Sequence, residues 1–255
     1  MLRKLSLALL IAVALAHPAY AAPAPSGKGT SAGNPQSIDL NEQGVKAIEA
    51  KNFSQAEDLF RRSLAADSKN LTAAFNLAGV YLTQKKPQEA IALLKEYSKV
   101  QSQDAGILVR LGDAYFSSKD IPNDLSSYEK AYKIAPKYSF LASKLGTTYL
   151  LRNNTKDAEK MFRAAVDQAP KDWQLLSNLS SVYLSNGKTQ EAIGAAKRAL
   201  QIKTTPELYV TLGNAYESAK DLKNSLIAFE RAKDLGYAGD DLPKKIESLK
   251  TKVPS

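Results

Sequence analysis

The 255-residue sequence contains no cysteine and only one histidine, His17. The absence of cysteine excludes disulfide bonds, thiol catalysis, cysteine metal sites and lipidation of an N-terminal cysteine. If the segment that carries His17 is removed, the working protein also lacks the side chain most often used for acid–base catalysis and metal binding. The composition therefore disfavours an enzyme, and we expect no catalytic residues, no cofactor and no metal site.

Charge and hydropathy indicate a folded, basic protein. The chain has 35 Lys and Arg against 26 Asp and Glu, a formal charge of +9, and 44% of its residues are apolar. That apolar fraction is enough to bury a sizeable core and is too high for disorder throughout.

The first 21 residues have the three parts of a secretory signal peptide. The basic Arg3 and Lys4 precede an apolar stretch at 5–16, and small residues follow up to Ala21. A stretch of twelve apolar residues is shorter than the roughly 20 that a membrane-spanning helix needs. We expect cleavage after Ala21, a flexible Ala/Pro/Gly/Ser leader at 22–36, and no membrane span or lipid anchor in the mature chain. The expected location is the periplasm of a bacterium, with secretion as the alternative.

A period of 34 residues organises the rest of the chain. Gly44 and Gly112 are two periods apart, Gly146 follows one period later, and Gly213 requires a single one-residue deletion. The period defines six units, at 37–70, 71–104, 105–138, 139–172, 173–205 and 206–239.

Each unit repeats the same residue types at the same places. Place 8 is small, place 11 is aromatic in five units, place 20 is small in four units, and place 24 is bulky in five; the residues at place 11 are Tyr81, Tyr115, Tyr149, Tyr183 and Tyr216. The spacing of four between places 7 and 11, and again between places 20 and 24, puts each pair on one face of a helix. Turn-forming residues lie between the two helices of each unit, so each unit is expected to be a helical hairpin.

This pattern resembles the tetratricopeptide repeat family, from residue 37 to residue 239. The resemblance implies an all-α fold, a right-handed α-solenoid of six helix-turn-helix repeats. An open last hairpin needs a cap. Residues 240–255 are expected to supply a capping helix and tail, in which Leu242, Ile246 and Leu249 lie on one face.

The resemblance also implies a working surface, because the first helices of such repeats line a concave groove that binds a partner segment. The matching residues here are Phe75, Asn76, Arg110, Asp113, Phe116, Phe140, Ser143, Lys144, Thr147, Leu151, Asn178 and Asn214. Alternatively, the three phenylalanines pack between helices and present little surface. The expected function is a non-enzymatic scaffold that binds envelope proteins during assembly of an envelope, pilus or secretion complex, and nucleic acid is disfavoured as a partner by export.

A second function from another class uses the excess of basic residues in the fourth and fifth units. An anionic cell-wall glycan could bind the cations of those units, which are Lys156, Lys160, Arg163, Lys188, Lys197 and Arg198. The alternative interpretation is that these residues form a solvated outer face.

Overall fold

The computed structural model describes residues 33–100 and 103–253, and it is helical throughout them. The predicted signal peptide, including His17, and the predicted leader up to residue 32 lie outside the described residues. The described part contains thirteen helices, labelled here in chain order: α1 Pro35–Glu49, α2 Phe53–Ala66, α3 Leu71–Thr83, α4 Pro87–Val100, α5 Ala105–Ser117, α6 Ile121–Ile134, α7 Leu141–Leu151, α8 Thr155–Gln168, α9 Trp173–Ser185, α10 Thr189–Ile202, α11 Pro206–Ser218, α12 Leu222–Asp234 and α13 Leu242–Lys250. The predicted all-α fold is confirmed.

The described residues form two compact units, with the boundary between Thr148 and Tyr149 inside α7. In the first unit, α1 packs on α2, α3 on α4, and α5 on α6, and each of the first two hairpins also contacts the next. In the second unit, α9 packs on α10 and α11 on α12, while α13 covers the last hairpin. Leu242, Ile246 and Leu249 of α13 are buried against a cluster that contains Phe229.

A glycine at place 8 lies directly against the ring at place 24 of the same hairpin. A Cβ atom added to Gly112 would lie 2.5 Å from the ring of Tyr128, and one added to Gly44 would lie equally close to Phe60. No side chain larger than a hydrogen fits this position without movement of the ring, and this explains why the place is small.

Serine replaces the small residue in the last two hairpins without opening the helix contact. Ser180, at place 8, donates a hydrogen bond of 2.8 Å to the carbonyl oxygen of Ala192 on the facing helix. Ser225, at place 20, donates one of 2.9 Å to the carbonyl oxygen of Gly213. Both serines are fully buried. Because each hydroxyl has an acceptor on the facing backbone, its burial is not penalised.

The turn between the two helices of every hairpin contains one residue in the left-handed region. These residues have φ between 58° and 75°, and they are Lys51, Lys85, Lys119, Asn153, Gly187 and Lys220. The following backbone N–H donates to the carbonyl oxygen five residues earlier, as from Asp120 to Tyr115 at 2.9 Å. This bond closes the first helix with a Schellman motif and lets the second begin at once.

The first helix of the fourth hairpin begins late. Asn70, Asp104, Asp172 and Thr205 cap the other inner first helices by accepting a hydrogen bond from a backbone N–H of the first turn. Tyr138 occupies the same place in the fourth hairpin, and its side chain has no short acceptor to offer. Helix α7 therefore begins at Leu141, and Phe140 precedes it with a φ of 60°. Phe140 was expected to lie within this first helix, but it lies just before it.

We expect the substitution Gly112→Ala to destabilise the protein by about 2 kcal/mol, because the added methyl group collides with the Tyr128 ring. The matched control is Gly194→Ala, where an added Cβ meets nothing within 4 Å. There the gain in helix propensity should stabilise the protein by about 0.5–1 kcal/mol. Urea unfolding followed by circular dichroism measures both changes, and equal effects of the two substitutions would contradict the proposed contact.

We expect Lys119→Gly to raise the free energy of unfolding by about 1 kcal/mol, because glycine adopts a positive φ without a Cβ penalty. Gly187→Ala should lower it by a similar amount, since the new methyl group meets no atom and only the backbone conformation is disfavoured. The same urea titrations test both substitutions. A higher free energy of unfolding for Gly187→Ala would refute the prediction.

Candidate partner-binding surfaces

A charged cluster joins α5 to α7 in the first unit. Asp113 of α5 accepts a hydrogen bond of 2.7 Å from the hydroxyl of Tyr128 and one of 2.6 Å from the ammonium group of Lys144. The Asp113 side chain is 11% exposed and that of Lys144 is 28% exposed. The ammonium group also lies 6.0 Å from the centre of the Tyr128 ring. The predicted groove residues Asp113 and Lys144 are therefore brought together as an ion pair.

Two tyrosines near this cluster remain protonated well into the alkaline range. Burial, and then the charge and hydrogen bond of Asp113, raise the pKa of Tyr128 well above its ordinary value. Burial raises the pKa of Tyr138 to about 12. At neutral pH, the Tyr128 hydroxyl therefore donates a hydrogen bond to the Asp113 carboxylate and fixes the orientation of that carboxylate.

The structure corrects the surface role predicted for Phe75 and Arg110. Each is only 2% exposed. The guanidinium carbon of Arg110 lies 4.0 Å from the centre of the Phe75 ring, and Gly79, one turn along α3, leaves room for the rest of the group. This cation–π contact is internal to the repeat packing. The alternative interpretation, packing between helices, is the correct one for Phe75.

The other predicted groove residues of the first unit have varied surroundings. Phe116, Phe140 and Ser143 are half-buried, so part of each side chain reaches the surface. Asn76 is also half-buried and donates a hydrogen bond of 3.0 Å to Asn41. Thr147 is buried and donates to the carbonyl oxygen of Ser143, which removes it from the surface.

In the second unit, the predicted polar groove is partly closed by the cap. Lys245 of α13 donates hydrogen bonds to Asn214 at 2.7 Å and to Glu217 at 3.2 Å. The sequence pattern missed this contact, because the spacing of α13 marks only its apolar face. Asn178 is 6% exposed and is withdrawn from the surface, whereas Leu151 is half-buried.

Four of the six predicted basic residues line one pocket in the second unit. The pocket has a volume of about 550 Å³ and is bordered by α8 and the turn before α10; its lining residues are Lys156, Glu159, Lys160, Arg163, Ala164, Asp167, Asn186 and Lys188. Lys197 and Arg198 are exposed on α10 and are not part of the lining. All six residues are exposed, as the outer-face interpretation expects, and four of them also line the pocket.

Glu159 is the polar centre of this pocket, and sequence reasoning missed it. Its carboxylate accepts hydrogen bonds from Lys188 at 2.6 Å and from Asn186 at 2.7 Å. Burial opposes its ionisation, but the hydrogen bonds from Lys188 and Asn186 prevail and lower its pKa. A signal was present, since Glu57 and Lys86 occupy the same repeat places in the first two hairpins and also form an ion pair, at 3.3 Å.

Within residues 33–100 and 103–253, no three His, Cys, Asp or Glu side chains are grouped so that they could hold a metal ion. In the same part of the chain, no helix has the length and apolar character needed to cross a membrane.

Family comparison agrees with the hairpin architecture. Profiles described as tetratricopeptide repeat match residues 47–107, 88–139, 143–208 and 206–235, which together make up well over half of the chain. The chain belongs to the tetratricopeptide repeat family. Proteins of this family are generally non-enzymatic scaffolds that bind peptide partners.

Solved structures of other repeat proteins share the fold. PilF of Pseudomonas aeruginosa superposes with a TM-score of 0.70 at 14% identity, covering 86% of this chain and 98% of its own. YrrB, described as a TPR protein with an unusual peptide-binding site, gives 0.68 at 16% identity over 74% and 97%. MamA from Desulfovibrio magneticus RS-1 gives 0.62 at 22% identity over 68% and 98%. At these identities the likeness concerns the fold alone.

A curated relative matches over a shorter stretch. Protein O-mannosyl-transferase Tmtc3 of Drosophila melanogaster is 29% identical over 100 residues, which is 37% of this chain. The match spans about a tenth of that protein's length. The transferase activity in its name belongs to that protein.

We expect Glu159→Gln to lower the free energy of unfolding at pH 7 by about 1 kcal/mol, because it removes the charge that Lys188 and Asn186 stabilise. Since the folded-state pKa is lowered, the contribution is complete above the unfolded pKa near 4.5 and is lost as the pH falls through the folded value. The difference in free energy of unfolding between parent and variant should therefore shrink as the pH falls below about 4.5. The exposed Glu42→Gln serves as control, and a difference that stays constant as the solution is acidified would contradict the assignment.

Proposed function

We propose that this chain is a non-enzymatic adaptor of the bacterial cell envelope that binds a segment of a partner protein during assembly of an envelope, pilus or secretion complex. The proposal rests on the family's general role in binding peptides and on the sequence features of an exported protein. In this proposal, residues 37–239 are six tetratricopeptide repeats, and residues 240–255 are the cap and tail.

The observation that carries the proposal is the surface around the Asp113–Lys144 pair. Phe116 lies one turn from Asp113 on α5, and Phe140 lies four residues before Lys144, just ahead of α7; both aromatic side chains are half-buried. A peptide can bury part of both rings and exchange hydrogen bonds with the two charged groups. This surface replaces the larger groove predicted from the sequence, because Phe75, Arg110 and Thr147 are internal.

The proposed location follows from the sequence. A signal peptide at 1–21 would direct export, and the leader would then link the new N-terminus to α1. The predicted leader end at 36 is corrected, because α1 begins at Pro35. The mature chain would carry neither cysteine nor histidine. A periplasmic protein of this composition has few means of catalysis, and it would be retained in the envelope by its partner.

We expect the double variant Phe116→Ala, Lys144→Ala to lose the partner. Loss of one aromatic anchor typically costs about 2 kcal/mol, roughly a 30-fold weakening of binding. The experiment is affinity capture of the tagged chain from an envelope extract of its own organism, after mild cross-linking, with quantitative mass spectrometry of the retained proteins.

The matched control is Lys130→Ala, Ile134→Ala, which removes a lysine and an apolar side chain that are exposed on the second helix α6. All three chains must show equal helicity and melting temperature. A partner kept by parent and control but lost by the double variant would support the proposal. A partner kept equally by all three, or no envelope protein retained by the parent, would contradict it.

A further inference from the structure

The pocket at α8 carries more positive than negative charge. Its lining has four cations, Lys156, Lys160, Arg163 and Lys188, against two carboxylates. The ammonium group of Lys188 forms an ion pair with the carboxylate of Glu159, at 2.6 Å. Among the described residues, no carboxylate oxygen lies within the 4.0 Å ion-pair distance of Lys156, Lys160 or Arg163. These three cations form no close ion pair and can contact a ligand, although the charge of Arg163 also helps to stabilise the Glu159 carboxylate.

These three cations form a row. They are spaced four and three residues apart on α8, so they share one face and are separated along the helix axis by about 6 and 4.5 Å. Like charges at this spacing destabilise a helix by a few tenths of a kcal/mol per pair. A bound anion would stabilise the row by attracting all three charges, whereas water and salt only weaken the repulsion between them.

The same places in the first hairpin are arranged differently. There Arg61 pairs with Glu57 at 2.8 Å and donates to the hydroxyl of Tyr81, and Asp58 occupies the place that Lys160 has in α8. Ser54 occupies the place of Lys156. The repeat architecture alone therefore does not produce the row, and its three unpaired cations are a property of the fourth hairpin.

The lining also restricts the class of ligand. It contains no aromatic side chain on which a sugar or base could stack, and its one apolar residue is Ala164. Lysine ammonium groups are compact point charges, and they commonly bind phosphate oxygens.

We propose that this pocket is a binding site for a ligand that carries at least two phosphate groups, held by Lys156, Lys160 and Arg163. Glu159 positions Lys188 at the edge of the site and keeps that ammonium group from closing over the row. The proposal is independent of the peptide surface on α5 and α7, and it replaces the glycan contact considered from the sequence.

The first experiment measures binding of inorganic tripolyphosphate to the purified chain by isothermal titration calorimetry at low salt. The double variant Lys160→Gln, Arg163→Gln should bind about tenfold more weakly, because two charge-assisted contacts are lost. The matched control is Lys197→Gln, Arg198→Gln, which makes the same change of charge and residue type on the exposed face of α10. Its affinity should stay within about twofold of the parent.

The second arm distinguishes a free phosphate compound from a lipid headgroup. Vesicles of cardiolipin, a lipid that carries two phosphate groups, are sedimented with each chain, beside phosphatidylcholine vesicles of the same size. Loss of sedimentation in the pocket variant, but not in the α10 control, would support the site with a lipid as the source. Binding of tripolyphosphate alone would support it with a soluble source.

Three results would overturn the proposal. Equal weakening by the pocket variant and the α10 control would show that only the overall charge matters. Citrate, a tricarboxylate, binding as tightly as tripolyphosphate would refute the phosphate assignment. Absence of pocket-dependent binding in both arms would refute the site itself.

Discussion

The close approach of two helices within each hairpin is the contact on which the fold depends. An aromatic ring at place 24 fills the space above a glycine at place 8, as Tyr128 does above Gly112. A single hairpin cannot enclose its other apolar residues, so neighbouring hairpins complete the core. The contact also sets where first-helix side chains can reach the surface. Asp113 follows Gly112 directly, and the hydroxyl of the same Tyr128 ring donates to its carboxylate, so one residue serves both the core and the candidate peptide surface.

Much of the fold was predictable because its determinants are local. The spacing of four residues between apolar places defines each helix face, and turn residues such as Asp120 mark each reversal. The beginning of α7 was not predicted, because a repeat alignment records length and not whether Tyr138 can cap a helix. The surface was predicted less well. The position of a residue within the repeat predicts which face of the helix it lies on. Whether the Arg110 side chain is buried, however, depends on Phe75 and Gly79 of the neighbouring hairpin.

Two junctions between hairpins replace a missing helix cap with an ion pair. Lys86 and Lys188 occupy the place where Asn or Asp caps the second helix of most other hairpins, and an ammonium group there is disfavoured by the helix dipole. Each instead donates to a glutamate of the preceding hairpin, Glu57 or Glu159. A local cost at one helix is thus offset by a bond that ties two hairpins together. In the second case, Lys188 makes the close ion pair with Glu159, and the three cations of α8 form no ion pair of that length.

The late start of α7 affects the cooperativity of the chain. In a repeat array, stability is approximately the sum of the stability of each repeat and of each contact with its neighbours. A hairpin whose first helix has a tyrosine at the capping place, and whose preceding residue Phe140 has a left-handed backbone, lowers one of these terms. We therefore expect local opening to begin near the start of α7, before the hairpins whose first helices carry an asparagine, aspartate or threonine cap.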